Sequence, residues 1–254
     1  MDTNKFSRET SKQSKADFAQ FEAVEKIFKM GSENICDKID AFPKYATKQS
    51  IAKFLTKYEI FKKIKNVNGS IIECGVLHGA GLMAWAKLSS IFEPVNHTRK
   101  IIGFDTFEGF ASVTTNDTKT GRSIHFGEGK MEGSSYDELT KVIELYDMNR
   151  PISHIPKIEL VKGDIIKTAP QFIQTHPHLV VSLLYLDLVI YEPTKIALET
   201  FLPKMVKGSI IVFDELNADV YPGETKAVND VIGLQNLRIQ RFDFDSYVSF
   251  AVIE

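Results

Sequence analysis

A chain of 254 residues, 43% apolar and 25% charged, has ordinary globular composition and enough length to close one sizeable core. Its formal net charge of −2 gives no electrostatic basis for holding a nucleic-acid backbone or an anionic membrane, so the expected partner is a small molecule. Two cysteines in unlike contexts, Cys36 and Cys74, cannot form a disulfide framework, and residues 1–15 lack the apolar core of an export signal; a cytoplasmic location is expected.

In chain order, residues 1–16 offer a single sizeable apolar group, Phe6, and are expected to be a flexible start. Residues 17–254 are expected to form one domain, with N-terminal helices over 17–68 and an α/β core over 69–254. Phe18, Phe21, Val24, Ile27 and Phe28 fall at helical spacing, as do Ile51, Phe54, Leu55, Tyr58 and Phe61, and Pro43 separates the two runs. These amphipathic helices offer a surface for a second subunit. The core opens with a strand over Ser70–Cys74, a helix over 81–92 and a strand over 100–104. The polar stretch at about 106–134 exceeds the usual connection length and reads as a lid over a substrate pocket.

A helix over 136–146, a strand over 158–161 and a near-continuous apolar strand over 179–186 follow, the last suited to the centre of a parallel sheet. The apolar run containing it is interrupted by Ser182 and Asp187 and is too short to span a bilayer. A helix from Pro193 is expected to finish before Gly208, which can take a left-handed terminating conformation, and 209–213 gives the next strand. Strands over 238–242 and 247–253, joined by a short link, predict an antiparallel hairpin. The alternation as a whole predicts an α/β fold with a mostly parallel sheet and right-handed crossovers.

The candidate ligand residues cluster where predicted strands end. In Ile71-Ile72-Glu73-Cys74-Gly75-Val76-Leu77-His78-Gly79-Ala80-Gly81, the glycines permit close backbone approach at a strand-to-helix switch, and Glu73 offers a carboxylate to an amino-acid ammonium group. The spacing of Gly75, Gly79 and Gly81 does not meet the G-x-G-x-x-G dinucleotide pattern, which favours S-adenosylmethionine; a tight structural turn is the alternative. Asp105, with Thr106 beside it, ends the next strand where an acid can hydrogen-bond ribose hydroxyls or simply cap a loop. Asp164 and Ile165 place an acceptor next to an apolar flank, which suits adenine, although a Gly-Asp pair is also a common turn.

Asp187, Asp214 and Glu215 end the two following strands. Three carboxylates delivered to one sheet edge repel one another unless protonated or bridged by a cation, and an all-oxygen set favours magnesium, with manganese and calcium as alternatives. Helix capping is the plainer reading of each acid alone. His125, in the expected lid, is a reserve catalytic base after Asp187. His176 and His178 precede their strand and belong to the opposite edge, so they are expected to be loop residues.

The motifs in order resemble the macrocin O-methyltransferase family over roughly residues 47–234. The resemblance rests on Phe54-Leu-Thr-Lys-Tyr-Glu-Ile-Phe61, Glu73-Cys-Gly-Val76, Gly103-Phe-Asp-Thr-Phe-Glu-Gly-Phe110, Tyr191-Glu-Pro-Thr-Lys-Ile-Ala-Leu-Glu199, Phe213-Asp-Glu-Leu216 and Tyr221-Pro-Gly-Glu-Thr-Lys-Ala-Val228. It implies a class I methyltransferase fold, Rossmann-like with its antiparallel hairpin, and transfer of the S-adenosylmethionine methyl group to a sugar hydroxyl. It further implies magnesium held by Asp187, Asp214 and Glu215, with Asp187 able to accept the proton. The chain departs from the family pattern at Val189, where members commonly carry a second acid, and at Glu215, where an Asp-Asp pair is usual. An NAD-dependent sugar oxidoreductase and a non-catalytic cofactor-binding protein are the alternatives.

Overall fold

In the computed structural model, which describes residues 15–111, 113–117 and 133–254, the chain divides into two compact units, Met1–Lys53 and Phe54–Glu254. Among the described residues of the first unit, helix α1 spans Lys15–Met30 and helix α2 spans Ile35–Asp40. The short α2 was not signalled by apolar spacing; it starts because the Asn34 side chain accepts the Asp37 N–H at 2.9 Å and satisfies an orphan donor of the first turn. Pro43 then opens a 3₁₀ turn over Phe42–Lys44, which separates α2 from helix α3, Lys48–Ile64. Within this unit the rings of Phe28 and Tyr45 meet edge to face at 4.9 Å, and the Lys38 ammonium donates to the Phe28 carbonyl at 2.6 Å. Much apolar surface stays exposed there, including Met30, Ile35, Ile39 and Phe42.

The second unit takes the remainder of α3 and is built on seven strands. They are β1 (Ser70–Cys74), β2 (Ile101–Asp105), β3 (Ile158–Lys162), β4 (Val181–Leu186), β5 (Met205–Phe213), β6 (Gln240–Arg241) and β7 (Ser249–Val252). Their order in the sheet is β3-β2-β1-β4-β5-β7-β6; the first five run parallel, and β7 is antiparallel to both β5 and β6. The helices between them are α4 (Ala80–Phe92), α5 (Tyr136–Asp147), α6 (Ile165–Thr175), α7 (Tyr191–Phe201) and α8 (Pro222–Val231). Every residue of β1 and β4 is buried, which explains why apolar residues fill both faces of each strand, with Ser70, Glu73 and Ser182 as the polar exceptions.

Strand periodicity sorts the core into two layers. Ile71, Leu183, Tyr185 and Val212 face one cluster with Phe61, Leu82 and Trp85, whereas Ile72, Cys74, Leu184, Leu186 and Phe213 face another with Phe172, Leu198 and Phe201. Among the described residues no helix is long and apolar enough to cross a membrane.

Three boundaries differ from expectation. The helix expected from Pro193 begins two residues earlier, at Tyr191, because its first turn extends to the end of the loop after β4. Gly208 does not end it: after Phe201 a 3₁₀ turn over Leu202–Lys204 leads directly into β5, which contains Gly208 at φ +87°. Val181 pairs with Met205 and Leu183 with Ile210, so Gly208 lies in a bulge where left-handed backbone is needed. The C-terminal hairpin has the expected direction but a longer connection, bound by Asp245, whose Oδ1 accepts the N–H groups of Tyr247 and Val248 and whose Oδ2 accepts the Thr56 hydroxyl at 2.7 Å.

Candidate functional site

The carboxyl ends of the parallel strands carry the strain of the fold. Four of the five described non-glycine residues with positive φ, Leu77, Phe107, Val189 and Asn217, follow β1, β2, β4 and β5 respectively. Such backbone persists only where its surroundings determine it, and it gathers at functional edges.

An open cleft of about 660 Å³ lies at this edge, lined by Gly75, Asp105, Thr106, Asp164, Ile165 and Asp187 among others. Each comes from the end of a strand or the first turn after it, the position at which doubly wound sheets bind nucleotide-like ligands. Gly75, at φ +90°, has the Asp187 carbonyl where a Cβ would sit, 2.0 Å from it, so only glycine lets the β1 and β4 loops meet. Asp105 draws the neighbouring loops together: one oxygen accepts the N–H groups of Val76 and Leu77 at 2.7 and 3.0 Å, and the other accepts Phe107 N–H at 2.7 Å. Two carboxylate oxygens offer about four acceptor positions, so capacity for a ribose hydroxyl is left. Thr106 donates to the Gly109 carbonyl at 2.5 Å, shaping the cleft floor, and Asp164 caps α6 by accepting Ile166 N–H at 3.1 Å, with buried Ile165 next to it.

The other residues of the glycine motif stand behind this wall. Gly79 starts α4 at φ +75° with Leu139 against it, and a Cβ on Gly81 would meet the Glu73 carboxylate at 2.3 Å. Glu73 itself is 2% exposed and accepts from the Trp85 indole at 2.6 Å. Burial pushes its carboxyl up to about 8, partly opposed by the Lys57 cation and reinforced by the charges of Asp187 and Asp214. His125 lies outside the described residues, as does 118–132 of the expected lid. His176 stacks on Phe172 at the end of α6, on the edge opposite the cleft.

Beside the cleft, Asp187, Asp214 and Glu215 each bring a carboxylate oxygen to within 4.8 Å of the others. The sheet dictates this meeting. Leu186 pairs with Phe213, so the next residues of the parallel strands emerge together, tied by Asp187 N–H to the Cys74 carbonyl at 2.8 Å and Asp214 N–H to the Leu186 carbonyl at 3.0 Å. Behind the three lies a fourth acid that sequence reading missed. Glu224 is fully buried; one oxygen accepts Glu215 N–H at 3.1 Å and the other, Oε2, has no hydrogen-bond partner. Burial, then the charges of Asp214 and Asp187, push its carboxyl well above the usual range. A buried unmatched oxygen behind three converging carboxylates, all hard donors, suits a site for a divalent cation such as magnesium.

Two further residues escaped the sequence pattern. Lys57 is 8% exposed on α3, and its place in the 57, 60, 61, 64 stripe with Ile60, Phe61 and Ile64 is the signal that marks it as inward-facing. Asp117 is 1% exposed: it accepts Tyr191 N–H at the start of α7 at 2.5 Å and takes both the N–H and the hydroxyl of Thr114. Nothing in its local sequence distinguishes it from a loop acid. Val189, where the family acid is missing, is 4% exposed at φ +67° and lines the cleft.

A family model described as macrocin O-methyltransferase matches residues 49–250. No curated protein matches the sequence. Among solved structures, the chain is similar to CalS11, a calicheamicin methyltransferase, with a TM-score of 0.90 and 28% identity over 94% of this chain and 93% of that one. The apo structure of CalS11, described as a TDP-rhamnose 3'-O-methyltransferase, gives a TM-score of 0.82 and 26% identity, covering 94% and 95%. The O-methyltransferase NovP shares the fold at a TM-score of 0.59 and 17% identity over 80% of each chain. The seven-stranded sheet with its C-terminal antiparallel hairpin is that of the class I methyltransferases.

Proposed function

The chain belongs to the macrocin O-methyltransferase family and is an O-methyltransferase; from that premise we propose that it moves the methyl group of S-adenosylmethionine to a sugar hydroxyl with the help of magnesium. This displaces the oxidoreductase and non-catalytic readings. The observation that carries the proposal is the position of Asp187, which lines the cleft and also belongs to the three-carboxylate cluster, so that the two ligand sites adjoin. CalS11, with its TDP-rhamnose acceptor, supports a sugar as the substrate class, whether nucleotide-linked, in a glycan or on a natural product.

In this reading Gly75, Asp105, Thr106, Asp164 and Ile165 hold the nucleoside, with Asp105 toward the ribose and Ile165 toward the adenine. Asp187, Asp214 and Glu215 would hold the cation, which when bound lowers the pKa of a neighbouring hydroxyl. Asp187 then accepts the sugar proton while the cleft keeps the hydroxyl in line with the sulfonium methyl. Glu224, buried against the Glu215 backbone, keeps the loop after β5 in place. The exposed Met30, Ile35, Ile39 and Phe42 of the first unit support self-association through the N-terminal helices as part of the same proposal.

Asp187→Asn and Asp214→Asn should each reduce methyl transfer by about 100-fold or more, while S-adenosylhomocysteine binds in calorimetry as it does to the parent chain. Undiminished transfer by the parent protein in excess chelator would remove the metal from the mechanism. Loss of cofactor affinity in both variants would instead place the acids in the cofactor site.

A further inference from the structure

Behind the acidic cluster runs a set of contacts that the proposed chemistry leaves unused. The Lys57 ammonium reaches the Tyr185 hydroxyl oxygen at 3.2 Å. An ammonium can only donate, so the tyrosine oxygen accepts there and must send its own proton elsewhere. That proton goes to Asp214 Oδ1, 2.5 Å away. The sheet and helices fix each member of the series. Tyr185 lies in the middle of the register, opposite Glu73 on β1 and Val212 on β5, and its side chain emerges on the face covered by α4. The Lys57 ammonium is held over the Tyr185 ring at 4.4 Å and the Trp85 ring at 5.7 Å, and those two rings meet edge to face at 5.8 Å. Trp85 in turn is fixed by its bond to Glu73.

We propose that Lys57 and Tyr185 are a pair of positioning residues that orient the Asp214 carboxylate for metal binding, Lys57 directing the tyrosine proton and Tyr185 anchoring one carboxylate oxygen. The inference rests on the metal reading above and adds two residues to it. Neither residue touches the acceptor or the cofactor cleft; both act through Asp214. Partners that orient a metal ligand from behind typically affect metal affinity about 10- to 100-fold when removed.

The test is a titration of the full-length, metal-free chain with Mn²⁺, followed by electron paramagnetic resonance, with S-adenosylhomocysteine affinity measured in parallel by calorimetry. Tyr185→Phe, which deletes one oxygen and keeps the ring, should weaken Mn²⁺ binding by about tenfold or more and leave the cofactor affinity unchanged. Lys57→Met should do the same, and the double variant should be little worse than the weaker single one, because the two residues act in series. Wild-type Mn²⁺ affinity in Tyr185→Phe overturns the inference, as do losses that multiply in the double variant. If the parent chain itself takes up no Mn²⁺, the metal reading falls and this inference with it, an outcome distinct from equal binding by parent and variants. Tyr185→Phe alone decides the matter should Lys57→Met fail to fold.

Discussion

Glu73 shows how the interior sets the charge of a single carboxyl group. Its ordinary value of 4.5 rises to about 8 because burial removes the water that would stabilise the anion, and Lys57 only partly compensates. A raised acid pKa means that the folded chain binds a proton more tightly than the unfolded one. The consequence for stability is nil below the unfolded value, grows as pH rises from 4.5, and levels off above 8. Across that window Glu73 disfavours folding, by up to roughly 5 kcal/mol. Glu73→Gln keeps an oxygen for the Trp85 indole but has no charge to bury. The variant should therefore be more stable than the parent in urea denaturation at pH 8, by a few kcal/mol, and differ little at pH 5. A gain of equal size at both pH values would mean that packing, not ionisation, is responsible. Arg99 is the opposite case at this scale: a buried cation whose guanidinium bonds the carbonyls of Gly69, Ile64 and Val67 and the carboxylate of Glu93. Arg99→Met removes the nearest cation to Glu93, which keeps the Ser89 and Asn96 side chains and Lys157 at 4.0 Å, and takes a donor from each carbonyl; a loss on the order of 3 kcal/mol is expected in the same denaturation experiment.

The elements differ in how far their own sequence announces them. β1 matches its expected bounds, and β4 begins two residues inside them, because short, mainly apolar stretches bounded by turn residues suit buried parallel strands. Helices α6 and α8 were not foreseen: α6 has Pro170 inside it, and α8 starts with Pro222 and Gly223 and buries Glu224 among its few inward residues. Ile165, Ala169 and Phe172 do fall at helical spacing in α6, with Pro170 set among them, whereas α8 has only Ala227 and Val228 as apolar buried residues. The strand-end acids were legible for the same reason as the strands, since a parallel sheet delivers consecutive strand ends to one edge. Lys57, Asp117 and Glu224 were not, because a charge buried by partners distant in sequence leaves no local pattern. Asp117 illustrates the energetic weight of such a partner. It fixes the stretch before the undescribed residues to the first turn of α7, and a Cβ on Gly223 would meet its carboxylate at 2.6 Å. Asp117→Ala leaves the Tyr191 N–H buried and unmatched, at a cost of about 1–3 kcal/mol. Amide exchange at Tyr191 should accelerate markedly in that variant, with the strands unaffected; unchanged protection there would show that the contact holds nothing.

At the scale of the whole chain, the expected partners are a second copy and a cofactor, and each leaves a thermodynamic signature. Ile35 and Ile39 stand 71% and 63% exposed one turn apart on α2, a placement that favours association over solvation. Light scattering of the parent chain at micromolar concentration should give a multiple of 28.6 kDa, and the double change Ile35→Glu, Ile39→Glu should bring it to the monomer; a monomeric parent refutes the association. Cofactor choice is tested by stability. A ligand that binds only the folded chain adds about 2.7 kcal/mol when present at 100 times its dissociation constant. For a domain of this size that corresponds to a rise in melting temperature of roughly 5–10 °C. S-adenosylhomocysteine should produce such a rise and NAD none, since Gly75, Asp105 and Asp164 line a nucleoside cleft without the glycine spacing that cradles a pyrophosphate. Asp105→Ala should diminish the S-adenosylhomocysteine shift after correction for its own effect on the ligand-free melt. A shift that survives intact in that variant would move the ribose away from β2, and equal shifts with both ligands would leave the cleft without cofactor discrimination.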